Sequence, residues 1–588
     1  MAQASRSNNV ERPARERADR SLTWLDTAIL VLIVIATALE LRLVFHLNIN
    51  WDEFHFLSRI YEYRSGVLTS RLQTLHVHLF GWLPAISMNE VDQIVAARSA
   101  LLALGIGIRA LLYAIGRHFL TRSGALFAVL AYSSFSYVLH HGTSFRFDPL
   151  CSFLVLTSLV LLLSEHPRPG PRARIALAAL SFAFSMMISL KSAIFLPTIG
   201  ATLGFVCTRD SREDVGALRG TALFATALAA GFGLIYALHA STLPSDAPST
   251  VAFVTRVGSS FLVFGELFPR SLFFLQSLSQ DTIIWCALAA GAALVLQGLQ
   301  LGEERAKRLA FLSFLLPLAM LVSYRNAFPY FYVLMLAPAI LITGATIDAI
   351  ANLLGPRTRA SGALVIVLAL AVFASGLRFH WDNPADQTLV QRQYVDLVHE
   401  LFPLPAPYID RCAMISSYPK AGMFLSAWSL ADYRAIAEPV MQRVIEEEQP
   451  VFLLANSPGL SAALATRPAR QPTAHRLLDE DARALRSHYI RHWGVLFVAG
   501  KRFVFDPGAA EQEFDLLIPG PYTVESPVPV RIDGVVRRPH AHVRLDTGRH
   551  TITADGASAR VALRWGSSLP RPEQRAPERR IFRGFRYR

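Results

Sequence analysis

Two adjacent carboxylates, Asp52 and Glu53, stand in the stretch Asn50-Trp51-Asp52-Glu53-Phe54-His55-Phe56, directly after an apolar run that ends at Leu47. A carboxylate where a membrane span meets water can take the proton of an incoming hydroxyl, a general-base role that contributes about 100- to 10,000-fold to a rate. An acidic pair in a loop reads as well as a solvated turn, so the residues set beside it decide. Arg146 and Asp148 flank Phe147 just before Pro149, Lys191 stands between two apolar runs, and Arg325 opens the aromatic stretch Tyr324 to Tyr332. Guanidinium and ammonium groups at a membrane surface suit phosphate, the guanidinium in bidentate fashion. Each also has an ordinary explanation: helix capping for Asp148, snorkelling for Lys191, interface anchoring for the Tyr and Phe around Arg325. His140 and His141 lack an obvious third ligand, and no thiolate spacing accompanies them, so no metal residue is assigned.

The elements that must position these residues are membrane spans. With 588 residues, 52% hydrophobic and 17% charged, the chain is too apolar for an ordinary soluble protein. Runs of span length number about eleven: near 24–47, 92–115, 123–140, 147–163, 174–190, 192–208, 219–240, 281–300, 309–323, 329–350 and 361–378. Lys and Arg beside spans are retained on the cytoplasmic side. The tail with Arg6, Arg12, Arg15, Arg17 and Arg20 is therefore expected inside, and alternation puts the loops with Arg117 and Arg122, Arg168 to Arg174, Arg209 and Arg212, Arg305 to Arg308, and Arg357 and Arg359 there too. An odd number of spans leaves the C-terminal part outside, and the first run reads as a span rather than a cleavable signal. Orientation and anionic lipid account for the net charge of +13 without a nucleic-acid partner.

The expected fold is thus an α-helical polytopic membrane protein, N-terminus in and C-terminus out, with a C-terminal extracytoplasmic α+β and β-sandwich domain. Its parts are a basic cytoplasmic tail (1–23), a transmembrane catalytic domain (24–378) with interfacial loops at 48–91 and 241–280, a mixed α/β region (379–494) and a β-rich region with a basic tail (495–588). Short buried strands are expected at Cys412 to Ile415 and Val451 to Leu454. A β pattern runs from about 495, with Asp533-Gly534 as a hairpin turn.

These stretches together resemble the GT-C superfamily of polyprenyl-phosphate-sugar-dependent glycosyltransferases, in the branch of the protein O-mannosyltransferases and the lipid A aminoarabinose transferase. The likeness rests on Leu41-Arg42-Leu43 leading to Asp52-Glu53, on Arg146-Phe147-Asp148, on Leu190-Lys191-Ser192 with Leu196-Pro197, and on Arg325 to Tyr332 with Pro338 behind. Ser192-Ala193 departs from the Gly-Pro usual after the Lys, and the first loop offers Arg59, Arg64, Arg71, His76 and His78 in place of an obvious Lys. The resemblance implies an inverting single displacement, with Asp52, Asp148 and Glu53 as catalytic residues and Lys191, Arg325 and Arg146 on the donor phosphate. Glu53 is expected to turn away from Asp52 and pair with Arg42. No cofactor is required, although a divalent cation stays open. The implied partners are a polyprenyl-phosphate-linked sugar, a glycan, lipid or protein acceptor, and membrane lipid, at the inner (plasma) membrane. The rival readings are a lipid or sugar transporter or flippase, and an oligosaccharide ligase or polymerase.

Overall fold

The computed structural model describes residues 23–166, 168–209, 216–244, 267–301, 304–355, 358–465, 476–506, 511–554, 558–578 and 580–583. Among these residues nine helices are long and apolar enough to cross a membrane, at Trp24–His46, Glu90–Gly116, Pro171–Ile188, Leu190–Arg209, Ala217–Ala240, Thr282–Gln300, Arg305–Ser323, Pro329–Leu354 and Arg359–Asp382. The other two expected spans are also helical but shorter or broken. Phe147–Leu163 has 17 residues, and the run at 123–140 divides at Phe135 into Arg122–Ser134 and Ser136–His141. Phe135 is extended there (φ −67°, ψ 127°), and the amide of Ser136 donates to Asp281 Oδ1 at 3.0 Å in place of an intrahelical carbonyl. A side-chain acceptor from a neighbouring span thus satisfies the amide that the break sets free.

Close backbone approach builds the bundle. Gly124 and Gly344 face each other where Arg122–Ser134 crosses Thr343–Leu354, and a Cβ on either would meet the other's carbonyl oxygen. Small residues at such crossings let spans pack without a hydrophobic driving force between them. A buried Arg109–Glu40 ion pair, with Arg109 Nε also donating to Ser133 Oγ at 2.9 Å, ties the first span to the second and third segments. At one end of the bundle lie Arg209 with Glu165 (2.9 Å), Lys307 with Glu304 (3.2 Å), and Ser123 with Asp26 (2.7 Å). Asp52, Asp148 and Lys191 lie at the other, as alternation of the spans requires. The N-terminal tail, Arg212 and Arg357 fall outside the described residues, as does 245–266 of the expected interfacial loop 241–280.

The loop after the first span holds the helix Trp51–Arg64, started by a capping box in which Asn50 and Glu53 satisfy each other's backbone amides. Phe54, Leu57 and Ile60 of this helix are fully buried, in one apolar core with Tyr394, Tyr408, Phe452 and Val498 of the C-terminal part. The loop is therefore the floor of the C-terminal domain, not a surface anchor alone. Polar contacts fasten the two: Gln391 accepts from Ile49 N (3.0 Å) and donates to Ile49 O (2.8 Å), Asn89 donates to Asp396 (2.6 Å), and Arg392 pairs with Asp92.

The C-terminal domain contains an eight-stranded and a four-stranded sheet among the described residues. In the larger one, Tyr408–Ile409 lies between Lys420–Ala421 and Phe452–Leu454, all three parallel, and Phe452–Leu454 then pairs antiparallel with Leu496–Phe505. One sheet therefore crosses the expected boundary at 494/495. Asp533-Gly534 forms the hairpin turn (φ +48° and +78°), closing Val530–Ile532 on Val535–Arg537 as its sequence requires. Cys412 to Ile415 is not a strand. Those residues form a turn around the buried Asp410, whose carboxylate accepts from the amides of Cys412, Ala413 and Met414. A run of apolar side chains there signals burial, and the preceding carboxylate decides the local backbone.

Candidate active site

Asp52 is the second residue of the helix Trp51–Arg64, and its carboxylate pairs with the guanidinium of Arg146. Arg146 reaches back through Nε to Asp148 Oδ2 at 3.3 Å, and Asp148 Oδ1 lies 3.6 Å from Lys191 Nζ. Four side chains from three distant parts of the chain thus alternate in charge along one line. Arg146 and Asp148 are nearly buried (5% and 3% exposed), whereas Asp52 and Lys191 are each 19% exposed, so the line is open at both ends. Tyr330 forms its wall, with Arg146 Cζ 3.6 Å and Lys191 Nζ 4.9 Å from the ring centroid, and Phe331 is 5.5 Å from Lys191 Nζ. An aromatic face holds a guanidinium without using up its N–H donors.

Local chemistry explains each position. Pro149 begins a helix readily, but the side chain of Asp148 caps nothing: the cap residue is Arg146, without a side-chain cap bond, and the Asp148 carboxylate serves the two cations instead. Ser189 is extended (φ −154°, ψ 124°), ending Pro171–Ile188, and a tight 3-10 turn, Leu190–Phe195, places Lys191 at the mouth before the chain re-enters the bundle.

Glu53 corrects the sequence reading. It does not pair with Arg42, which donates to the carbonyl of Pro384, but with Arg98 (2.5 and 2.7 Å), and it also accepts from the amides of Asn50 and Phe145. With its side chain 1% exposed and both oxygens engaged, it belongs to the wall under Asp52. Arg325 stands one step from the line. Its carbonyl accepts from Arg270 Nε at 2.9 Å, Arg270 lies over Phe328 at 4.3 Å, and Phe328 stacks on Tyr330 at 5.8 Å.

The first-loop alternatives lie elsewhere. Arg59 pairs with Glu62 at 2.6 Å, and His78 is bonded to His239 at 2.9 Å. His76 Nε2 donates to the carbonyl of Phe56 (3.0 Å), and burial pushes its pKa down to about 4. His55, stacked on Phe424 at 4.4 Å, is held well below the usual histidine range, chiefly by burial and then by the charges of Arg59 and Lys420. Both are neutral near pH 7; of the three carboxylates here, Glu53 and Asp148 are buried and Asp52 is partly exposed. The set gives a divalent cation little to hold. Asp52 and Asp148 are already matched by Arg146 and Lys191, and among the described residues no three Asp, Glu, His or Cys side chains converge as metal ligands.

Arg98, Arg270 and Tyr330 are the functional neighbours that sequence reading left without a role. Arg98 had a signal, since a charge within an apolar span is costly unless paired; the partners of the other two are set by folding alone.

No protein-family model matches the chain, and no curated protein matches it. Solved structures similar to it include the archaeal oligosaccharyltransferase AglB from Archaeoglobus fulgidus, in complex with an inhibitory peptide and a dolichol-phosphate, at 11% identity over 94% of this chain and 98% of that one (TM-score 0.49). Another is ArnT from Cupriavidus metallidurans bound to undecaprenyl phosphate, at 15% identity over 72% of this chain and 92% of that one (TM-score 0.46). A third is the mycobacterial arabinofuranosyltransferase AftD, at 13% identity over 90% and 61% (TM-score 0.43).

Proposed function

We propose that the chain is an integral-membrane glycosyltransferase that moves a sugar from a polyprenyl-phosphate donor to an acceptor at the outer face of the plasma membrane. The observation that carries this reading is the line Asp52–Arg146–Asp148–Lys191: a partly exposed carboxylate and two cations, held by a third charged group, at one end of an apolar bundle. That is what the reaction needs. A sugar on a lipid phosphate leaves behind a stable anion, so the enzyme must supply a base for the acceptor and cations for the leaving group.

The donor phosphate, a more concentrated anion than a single carboxylate, takes Lys191 and Arg146 and so releases Asp52 from its resting pair. The acceptor hydroxyl then gives its proton to Asp52 as its oxygen bonds the anomeric carbon. The bond from that carbon to the phosphate oxygen breaks, and its electron pair leaves with the polyprenyl phosphate. One displacement without a covalent enzyme intermediate inverts the anomeric configuration. Asp148 is a positioning residue that aims both cations, and Arg325 adds positive charge at the rim. The bundle of 24–378 serves as the catalytic domain, with the C-terminal residues from 379 on the outer side.

The test is to compare the envelope glycans and glycolipids of a strain lacking the gene with its parent by mass spectrometry. The reading expects one sugar mass to vanish and to return with the wild-type gene. Identical profiles under conditions where the gene is expressed overturn it.

A further inference from the structure

A second guanidinium, from the C-terminal domain, reaches the helix that carries Asp52. Arg411 lies flat over Trp51, the residue before Asp52, with its Cζ 3.7 Å from the ring centroid. Its main chain is pinned twice: its amide donates to Asn456 Oδ1 at 3.0 Å, and its carbonyl accepts from Leu425 N at 2.9 Å. Asn456 is itself held by Asp410 Oδ2 at 3.0 Å, the same carboxylate that organises the turn after Arg411. The side chain, so placed, has no hydrogen bond or ion pair among the described residues, and its Nε is fully buried without a partner. Burial disfavours its charge, while Cys412, Asp52 and Asp410 favour it. A buried unpartnered donor on a cation is costly unless something arrives to satisfy it.

Its place in the fold points the same way. Arg411 follows the strand Tyr408–Ile409, Asn456 follows Phe452–Leu454, and Phe424, stacked on His55, follows Lys420–Ala421. These are the three parallel strands, and the residues after two of them meet the first turns of the helix that carries Asp52, Arg411 on Trp51 and Phe424 on His55. In open sheets with parallel strands, ligands bind in the crevice outside the carboxyl ends of the strands.

Resting on the glycosyltransferase reading, we propose that Arg411 and the carboxyl edge of the parallel strands bind an anionic group, carboxylate or phosphate, on the acceptor, setting its hydroxyl against Asp52. The donor phosphate belongs to Lys191 and Arg146 on the bundle side, so two anions are recognised by different cations, one set from the bundle and one from the C-terminal domain. An acceptor without charge would leave the Arg411 Nε as it stands, buried and without a partner.

The test uses the full chain in nanodiscs, first saturated with undecaprenyl phosphate and then given radiolabelled inorganic phosphate in equilibrium dialysis. One saturable phosphate site is expected, weakened at least about tenfold in Arg411→Gln and partly restored in Arg411→Lys, with Arg549→Gln, an exposed arginine of the β region, as the unaffected control. Undecaprenyl phosphate binding should be equal in wild type and Arg411→Gln, which also shows that the variant is folded. Phosphate binding unchanged in Arg411→Gln overturns the site. Loss of undecaprenyl phosphate binding in Arg411→Gln, with that of Arg411→Lys retained, assigns Arg411 to the donor and overturns the acceptor role. Failure of the wild type to bind undecaprenyl phosphate at all counts against the glycosyltransferase reading itself.

Discussion

Asp52 and Glu53 are neighbours with opposite fates because a helix turns each successive side chain by about 100°. The turn that leaves Asp52 19% exposed beside Arg146 drives Glu53 into the wall against Arg98. The two therefore fail differently when changed. Glu53→Ala should cost about 3–5 kcal/mol of stability by stranding a buried Arg98, seen as a lowered thermal midpoint, whereas Asp52→Asn should leave that midpoint close to wild type. A midpoint for Glu53→Ala equal to wild type contradicts the wall role. For Lys191→Ala, undecaprenyl phosphate binding should weaken about tenfold or more through loss of a charge-assisted contact; unchanged affinity removes Lys191 from the phosphate site. At this scale the residue types were legible in the sequence, since an acid, two cations and an aromatic belt stand at span ends. Their pairing was not. That Arg146 bridges two acids, or that Arg98 rather than Arg42 takes Glu53, depends on which helices touch, and span order alone does not say.

Elements carry the next constraint. The spans were readable because length and apolarity are imposed by the bilayer, and ten of the eleven expected runs are unbroken helical segments or end at a tight turn, the exception being the break at Phe135 that Asp281 supports. The crossing of Gly124 and Gly344 is a property of a pair, invisible in either helix. Gly344→Leu should push the two helices apart and lower the detergent-solubilised melting temperature by several degrees, the scale of a change costing about 1–3 kcal/mol; a melt like wild type contradicts the close crossing. The first-loop helix also reads as an interfacial anchor from its own sequence, because the domain that buries Phe54, Leu57 and Ile60 begins more than three hundred residues later in the chain.

That docking has a pH dependence of its own. His399 of the C-terminal domain bonds Glu90 at 3.0 Å, and Glu90 also accepts from Ser417 Oγ at 2.6 Å. Burial pushes the His399 pKa down, but the hydrogen bond and charge of Glu90, with Asp396, outweigh it and hold it above the ordinary 6.5. A raised folded value means that the contribution is fully present below the ordinary histidine range and fades as pH rises through the folded value. Wild-type melting temperature should therefore fall as the buffer is taken from about pH 6 to about pH 9, and His399→Gln should flatten that fall; an equal slope in both proteins contradicts the linkage.

On the scale of the whole molecule, the bundle carries the line Asp52–Arg146–Asp148–Lys191 at its rim, and residues at the ends of the parallel strands of the C-terminal domain pack on the helix that holds Asp52. The sequence announced the domain by its change of composition after residue 378 and its β pattern after 495, but not that one sheet joins the two halves, nor that residues after two of its parallel strands pack on the helix of the acid. The central claim is that Asp52 takes the acceptor proton at this junction. It is tested most directly by returning wild-type and Asp52→Asn genes to the strain lacking the gene and measuring the restored sugar mass in its envelope, at matched levels of protein in the membrane. Wild type should restore it and Asp52→Asn should fall short by about 100-fold or more; full restoration by Asp52→Asn would contradict the account.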